Sequence, residues 1–165
     1  MALSPRPMHL RAPLILLVAV GGAVGSGARY WLSGTLSLPH GLPVATLVEN
    51  VVGAFLLGVL LEALLRQGPE TERIRLLRLG LGTGLLGGFT TFSTLALEVE
   101  RFLAEGSPAL AVGYGLGSMI LGALAAVLGI AVGAWGMRRR GRTASTSHED
   151  PSLEGSIETG KDLPT

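Results

Sequence analysis

The sequence predicts an all-α membrane protein with four transmembrane helices, the third of which is broken. Its 165 residues are 48% hydrophobic and 15% charged, and their mean hydropathy is +0.51. Such a composition is typical of a chain that crosses the membrane several times rather than of a soluble domain. The 25 glycines and the low aromatic content of 5% indicate helices that pack through small residues and close backbone approach. Four long apolar segments give the number of spans.

The first apolar segment is residues 14–36, which follow a short polar N-terminus at residues 1–13. Arginines before an apolar run also occur in signal peptides, but this run is long and has no clear A-x-A cleavage site. We therefore expect a retained membrane helix. Arg29 lies near its far end, and two interpretations of it stay open: a snorkelling interface residue, or a residue at the mouth of a pore.

The second segment, residues 44–65, contains the polar residues Thr46, Glu49 and Asn50. Thr46 and Asn50 are four residues apart and share one helical face, whereas Glu49 points about 100° away from Asn50. An ionisable residue inside a span is a functional candidate, and the alternative is a carboxylate that reaches the interface or a water-filled vestibule. For Asn50 the alternatives are a functional donor and a structural interhelical hydrogen bond.

The third segment, residues 80–100, follows a charged loop at residues 66–78. Five glycines fall between Gly80 and Gly88, and the run FTTFST comes next. Glycine costs a helix about 1 kcal/mol per position against alanine. In a membrane, however, a junction between glycines and hydroxyl residues can open one helical turn and direct its carbonyls at an ion. We predict a broken helix whose break is the functional centre.

Residues 82–87 also match the dinucleotide-binding pattern G-x-G-x-x-G. That pattern requires a preceding strand, a helix that opens at the glycines and an acidic residue about 20 positions further on. A helix precedes these glycines, and no βαβ pattern is present. We therefore assign the glycines to helix packing and expect no nucleotide site.

The fourth segment, residues 109–137, follows a short connection at residues 98–108. Tyr114 and Ser118 share one face and carry the only side-chain hydroxyls of this segment. Trp135 and the arginines after it suit an interface anchor. Residues 138–165 are first basic and then rich in Ser, Thr, Glu and Gly, so we expect a disordered cytoplasmic tail.

The basic residues are distributed unevenly between the two sides of the predicted membrane. Only Arg29 and Arg101 can be assigned to one side; the others lie in the N-terminus, the 66–78 loop or the tail. The positive-inside rule then gives an inner (plasma) membrane protein with both termini in the cytoplasm.

No catalytic constellation is visible, so an enzyme is not expected. The membrane segments instead offer neutral donors, and Phe92 offers a ring edge of positive partial charge. Such a row suits a small dehydrated anion, because the donors replace water without holding the ion too tightly. The alternative is that the hydroxyls bond to carbonyls of their own helices. The candidate donors are Thr46, Asn50, Thr90, Thr91, Ser93, Thr94, Tyr114 and Ser118.

Three stretches, GGAVGSGARY, TLVENVVGAFLLG and GLLGGFTTFST, resemble the CrcB/Fluc family of fluoride channels. The resemblance covers about residues 14–137. It implies a four-helix fluoride channel domain that works as an antiparallel dimer with two fluoride pathways, and it implies passive fluoride efflux and fluoride resistance. It also implies a structural sodium ion held by main-chain carbonyls at the break, which on this sequence are those of Gly87 and Thr90. The pore residues that it implies are Asn50, Phe92, Ser93, Thr94, Tyr114 and Ser118, with Arg29 as the first-helix arginine.

The sequence departs from the pattern of that family at two positions. Leu95 stands where a second phenylalanine is usual, and Glu49 stands before Asn50 where an apolar residue is usual. The uneven distribution of arginines between the two sides of the membrane is a third departure. A subunit that inserts in one orientation cannot form an antiparallel homodimer. We therefore hypothesise a sister subunit of opposite orientation as partner, beside fluoride and membrane lipid; no nucleic-acid partner is expected.

Two other functions stay open at this point. The first is a small dimeric proton-coupled drug antiporter that uses Glu49 as its titrating carboxylate. The second is a non-conducting partner or assembly protein of the same fold.

Overall fold

A computed structural model describes residues 12–36 and 43–145 of the chain, with side chains up to residue 136. All regular structure in this part is helical. The elements are α1 (Ala12–Leu36), α2 (Val44–Leu65), α3 (Glu72–Leu77), a π-helical segment (Arg78–Leu86), α4 (Gly87–Phe89), α5 (Phe92–Ala104) and α6 (Pro108–Ser145).

Three helices within the described residues are long and apolar enough to cross a membrane: α1, α2 and the Pro108–Gly136 part of α6. Their outward side chains are apolar as well; Leu16, Val24, Leu124 and Val127 are each more than half exposed. A surface of this kind would cause aggregation in water but matches the hydrocarbon of a bilayer. The chain is therefore a membrane protein.

The fourth predicted span, residues 80–100, is not one uninterrupted helix. The π-helical segment and α4 lead to Thr90 (φ −82°, ψ 154°) and Thr91 (φ −147°, ψ 119°), which are extended, and α5 starts at Phe92. Widened π turns occur frequently at functional positions of helices. Because of the interruption, this segment is not among the three long helices.

The segments outside the predicted spans differ from expectation in three places. In the first, most of the predicted 98–108 connection is helical, because α5 continues to Ala104. The predicted 66–78 loop contains α3, which begins because the Thr71 hydroxyl accepts a hydrogen bond from the Ile74 N–H at 3.3 Å. Gly68 takes a left-handed conformation (φ +94°) in the turn before it. At the other end, α6 continues past residue 137 to Ser145, since arginine is a good helix former. The predictions for residues 1–11, the 37–42 part of the first connection and residues 146–165 lie outside the described residues.

Helices α2 and α6 pack with their backbones nearly in contact. A Cβ atom at Gly58 would meet the Ala126 carbonyl oxygen, and one at Gly129 would meet the Phe55 carbonyl oxygen. Only glycine permits this approach, which supplies the dispersion contacts that hold helices together where lipid removes the hydrophobic drive.

Helix α1 packs against the π-helical segment in the same way. A Cβ atom at Gly21 would lie 2.5 Å from the Gly80 carbonyl oxygen, and one at Gly84 would lie 2.9 Å from the Val18 carbonyl oxygen. A Cβ atom at Gly25 would overlap the Leu85 carbonyl group. The glycines of residues 80–88 thus meet the glycines of α1, and the interruption at Thr90 is held close to both α1 and α2.

Gly25→Ala should therefore lower the melting temperature of the purified protein. Forcing an atom into a filled contact costs about 1–3 kcal/mol, more than the roughly 1 kcal/mol that alanine adds in helix propensity. Gly27→Ala is the matched control, because no atom lies within 4 Å of its Cβ position, and it should leave stability unchanged or raised. Equal melting temperatures for the two variants would contradict the close approach of α1.

Candidate functional site

The side chain of Asn50 on α2 binds both backbone groups of Thr91 at the interruption. Its Nδ2 donates to the Thr91 carbonyl oxygen at 2.9 Å, and its Oδ1 accepts from the Thr91 N–H at 2.8 Å. This pair replaces the ladder hydrogen bonds that a helix would supply, which matters because a membrane offers no water to unpaired backbone groups. Of the two alternatives for Asn50, the structural hydrogen bond is therefore present.

The Thr91 hydroxyl starts α5. It accepts a hydrogen bond from the Thr94 N–H at 3.2 Å, and it lies 3.0 Å from Thr94 Oγ1 and 3.2 Å from Ser93 Oγ. An N-cap hydroxyl of this kind satisfies one of the free amides at a helix start. Ser93 and Thr94 thus meet at Thr91, which is buried, and the direction of α5 is set by this cap.

A cleft of about 350 Å³ opens beside the interruption, between α2, α6 and the elements from α3 to α5 (residues 72–104), which together are called the third helical run. Phe92 lies at this cleft with 73% of its surface exposed, and Ser118 lies at it with a buried hydroxyl. The cleft brings together five of the predicted site residues: Asn50, Gly87, Thr90, Phe92 and Ser118.

Thr46 and Tyr114 lie in a second group around Glu98 of α5. Thr46 Oγ1 donates to Glu98 Oε1 at 2.6 Å, and the Tyr114 hydroxyl donates to Glu98 Oε2 at 2.7 Å. The Tyr114 oxygen also lies 3.2 Å from the Pro43 carbonyl oxygen. Both hydroxyls are thus engaged by one carboxylate, and neither residue lines the cleft.

Arg29 is bound to the backbone of the third helical run. Its Nε donates to the Gly88 carbonyl oxygen at 3.3 Å, and the Ser26 hydroxyl donates to the same oxygen at 3.3 Å. A charged donor on a carbonyl that has left the regular helical ladder stabilises the end of α4. The arginine therefore holds α1 to the run before the interruption.

Glu49 is 1% exposed and packs toward α1 instead of the cleft. Its Oε1 accepts a hydrogen bond from the Ser33 hydroxyl at 2.6 Å. The predicted divergence of Glu49 and Asn50 on the helix thus places the two side chains against different neighbours. The carboxylate is not a lining residue of the cleft.

Several carbonyls at the interruption lack their usual partners four residues ahead, and those of Gly87 and Thr90 are among them. The Thr91 N–H donates to Asn50 and not to Gly87, and the Thr94 N–H donates to the Thr91 hydroxyl and not to Thr90. Gly87 and Thr90 both line the cleft. Carbonyl oxygens freed in this way are hard ligands that suit an alkali cation.

Leu95 is 6% exposed and belongs to the apolar core between α5 and α6, with Phe102, Ala111 and Tyr114. The rings of Phe102 and Tyr114 meet edge to face at 5.6 Å, a favourable arrangement for aromatic pairs. Leu95, which stands where a second phenylalanine is usual in the family, is therefore a packing residue in this subunit.

The roles of Thr91 and Glu98 were missed from the sequence. Thr91 was noted only as one of several donors, although its backbone and hydroxyl connect α2 to α5. Glu98 carried a usable signal, since it lies four residues after Thr94 and seven after Thr91 and so falls on the same face of α5.

Comparison with known proteins gives a family match. A family model described as CrcB-like protein, Camphor Resistance (CrcB), matches residues 16–130. This match covers α1 from residue 16 onward, all of α2 to α5, and most of the membrane part of α6.

Several relatives are similar over most of their length. The fluoride-specific ion channel FluC 2 of Leifsonia xyli subsp. xyli is 43% identical over 141 residues, which are 86% of this chain and 97% of the relative. The fluoride-specific ion channels FluC of Thermus thermophilus and Geobacter sulfurreducens are 44% and 45% identical over 122 and 123 residues. These alignments cover 72% and 73% of this chain and 91% and 90% of the relatives. All three names describe ion channels and none an enzyme.

Proposed function

The chain belongs to the CrcB-like protein family, and on that premise we propose that it is a subunit of a fluoride-selective channel. It would let fluoride leave the cytoplasm passively and so confer resistance to fluoride. Hydrogen fluoride crosses membranes as a neutral acid and ionises inside, so the trapped anion needs a path out. The observation that carries the proposal is the cleft in which Asn50, Phe92 and Ser118 lie beside the interrupted helix.

The chemistry of this cleft supports an anion. Asn50 and Ser118 are neutral donors, and the Phe92 ring edge is weakly positive. Neutral donors can replace the hydration of a small anion without binding it too tightly for release. A carboxylate in the cleft would repel the anion, and Glu49 is bound to Ser33 outside it.

The same placement of Glu49 argues against a proton-coupled antiporter. A titrating carboxylate in such a transporter must exchange protons with water and meet a cationic substrate. Glu49 is 1% exposed and does not line the cleft. No observation in the described residues favours that function over a channel.

We further propose that a sodium ion is held at the interruption by the carbonyls of Gly87 and Thr90. Both carbonyls lack helical partners, which fits the oxygen ligands of a hard cation. The same carbonyls of a second, antiparallel subunit would complete the ligand set. The ion would fix the interrupted backbone and join the subunits, and it would take no part in fluoride movement.

The proposed partner subunit rests on the predicted orientation. Arginines that favour one orientation, with both termini in the cytoplasm, do not permit two copies to pair in opposite directions. We propose that this chain pairs with a sister subunit of the opposite orientation in the inner membrane.

Fluoride efflux from liposomes tests the channel. Protein purified alone, or with its co-expressed sister subunit, should release trapped fluoride measured by an electrode, while chloride is retained. Asn50→Ala should slow release by about tenfold or more, because a hydrogen bond to an ion is worth roughly 1.5–3 kcal/mol. Phe92→Ala should also slow release, because it removes the weakly positive ring edge from the cleft. The control is Leu103→Ala, which removes an exposed apolar side chain from α5, the helix of Phe92. It should leave the rate of fluoride release unchanged.

The subunit composition of the preparation separates the outcomes. Release by the single chain would support the channel and exclude the sister subunit as a requirement. Release only by the co-expressed pair would support both proposals. No release by either preparation would contradict the channel and leave the assembly protein as the function.

Sodium dependence tests the proposed cation. The melting temperature of the purified protein should be higher in sodium chloride than in potassium chloride at the same ionic strength, and the difference should saturate with sodium. A ligand that binds only the folded state adds about 2.7 kcal/mol at a hundredfold excess over its dissociation constant. Identical melting curves in the two salts would rule out a selective sodium site.

Single-cysteine labelling tests the orientation, and the absence of native cysteine makes the background low. A membrane-impermeant maleimide applied to intact cells should label Glu105→Cys, between α5 and α6. It should label Gln67→Cys, between α2 and α3, only after permeabilisation. Equal labelling of both positions in intact cells would show insertion in both orientations and remove the reason for a sister subunit.

A further inference from the structure

A second cavity lies away from the interruption, between the first turns of α1 and the beginning of the third helical run. Its volume is about 490 Å³. One wall is apolar and the other carries two guanidinium groups. The lining residues are Leu14, Ile15, Val18, Ala19, Leu79, Arg75 and Arg78. None of them belongs to the proposed fluoride or sodium sites.

Arg75 is held against this cavity with unused hydrogen-bonding capacity. Its side chain is only 16% exposed, and one terminal nitrogen pairs with Glu72 of the preceding turn. Its Nε is buried and has no hydrogen-bond partner among the described residues. A buried charged N–H without an acceptor is unfavourable, so an acceptor atom in the cavity would stabilise this arginine.

Arg78 adds a second cation that a ligand can recruit. It pairs with Glu70 at 2.7 Å, but both side chains are nearly half exposed. Ion pairs in such surroundings contribute little and are readily exchanged for another anion. Residues 66–78 as a whole carry four arginines against two glutamates, so the charge beside the cavity is positive.

We propose that this cavity binds an anionic phospholipid whose phosphate is held by Arg75 and Arg78. One acyl chain would lie along the apolar wall formed by Leu14, Val18 and Ala19 of α1. Guanidinium groups bind phosphate oxygens through several charge-assisted hydrogen bonds. Basic pockets between membrane helices near the surface suit acidic lipid headgroups.

The apolar wall selects a lipid over free phosphate. Most of the lining residues are aliphatic side chains, which give inorganic phosphate nothing to bind but match an acyl chain. The lipid would connect α1 to the third helical run at their common end, where the glycine contacts between Gly21 and Gly80 do not reach.

Native mass spectrometry of the detergent-purified full chain tests the site. After delipidation, titration with phosphatidylglycerol should give a one-lipid mass adduct, and phosphatidylcholine should bind about tenfold more weakly because it lacks net negative charge. Arg75→Gln should weaken the phosphatidylglycerol adduct by about tenfold, the value of one charge-assisted hydrogen bond. Arg73→Gln is the control, because it removes one exposed arginine from the same helix without touching the cavity.

A second variant distinguishes loss of the lipid site from misfolding of Arg75→Gln. Ala19→Phe fills the apolar part of the cavity without a change in charge, and it should also reduce the adduct.

Equal reduction of the adduct by Arg73→Gln and Arg75→Gln would show general charge attraction and overturn the site. Competition by millimolar inorganic phosphate with no need for the acyl chain would assign the site to free phosphate. An adduct that forms only after deletion of residues 1–10 would assign the cavity to the chain's own N-terminus.

Discussion

The hydrogen-bond pair between the Asn50 side chain and the Thr91 backbone is the interaction on which the rest of the site depends. An extended stretch within a membrane segment leaves backbone groups that only protein can satisfy. Asn50 supplies one acceptor and one donor at 2.8 and 2.9 Å. With its backbone fixed, Thr91 caps α5 through its hydroxyl. The register of α5 then places Phe92 at the cleft with most of its surface exposed, whereas Leu95 is buried in the core and lines the cleft from there.

The close approach of helices makes that interaction possible. Gly53 lies one turn after Asn50 on α2, and a Cβ atom there would collide with the Thr90 side chain. The glycine therefore lets the interruption come near enough for Asn50 to reach Thr91. On the opposite side, Gly88 meets the Gly22 backbone of α1, and this contact brings Arg29 to the Gly88 carbonyl. The asparagine and the glycines work together, since neither permits the geometry alone.

Much of this arrangement was accessible from the sequence because it depends on local properties. The apolar lengths predicted α1 and α2 nearly to the residue. The pairing of Thr46 with Glu98 was not predicted, since it depends on which face of α5 meets α2. The burial of Glu49 was not predicted for the same reason, since its neighbour Ser33 lies on a helix whose position the sequence does not specify. Helix α3 lies where the sequence predicts a loop, because six residues are too few for a periodic pattern and the cap is one threonine.

The donors that remain free decide which residues can serve an anion. A hydroxyl has one proton to donate, and those of Thr46 and Tyr114 are directed at Glu98. An anion at that cluster would have to take both donors from a carboxylate while lying close to its charge, which is unfavourable in a medium of low dielectric constant. The amide of Asn50 differs, because its nitrogen has two protons and only one is used by Thr91. In the proposed channel the second proton, the Ser118 hydroxyl and the Phe92 edge therefore form the anion-facing set of this subunit, and all three residues line the same cleft.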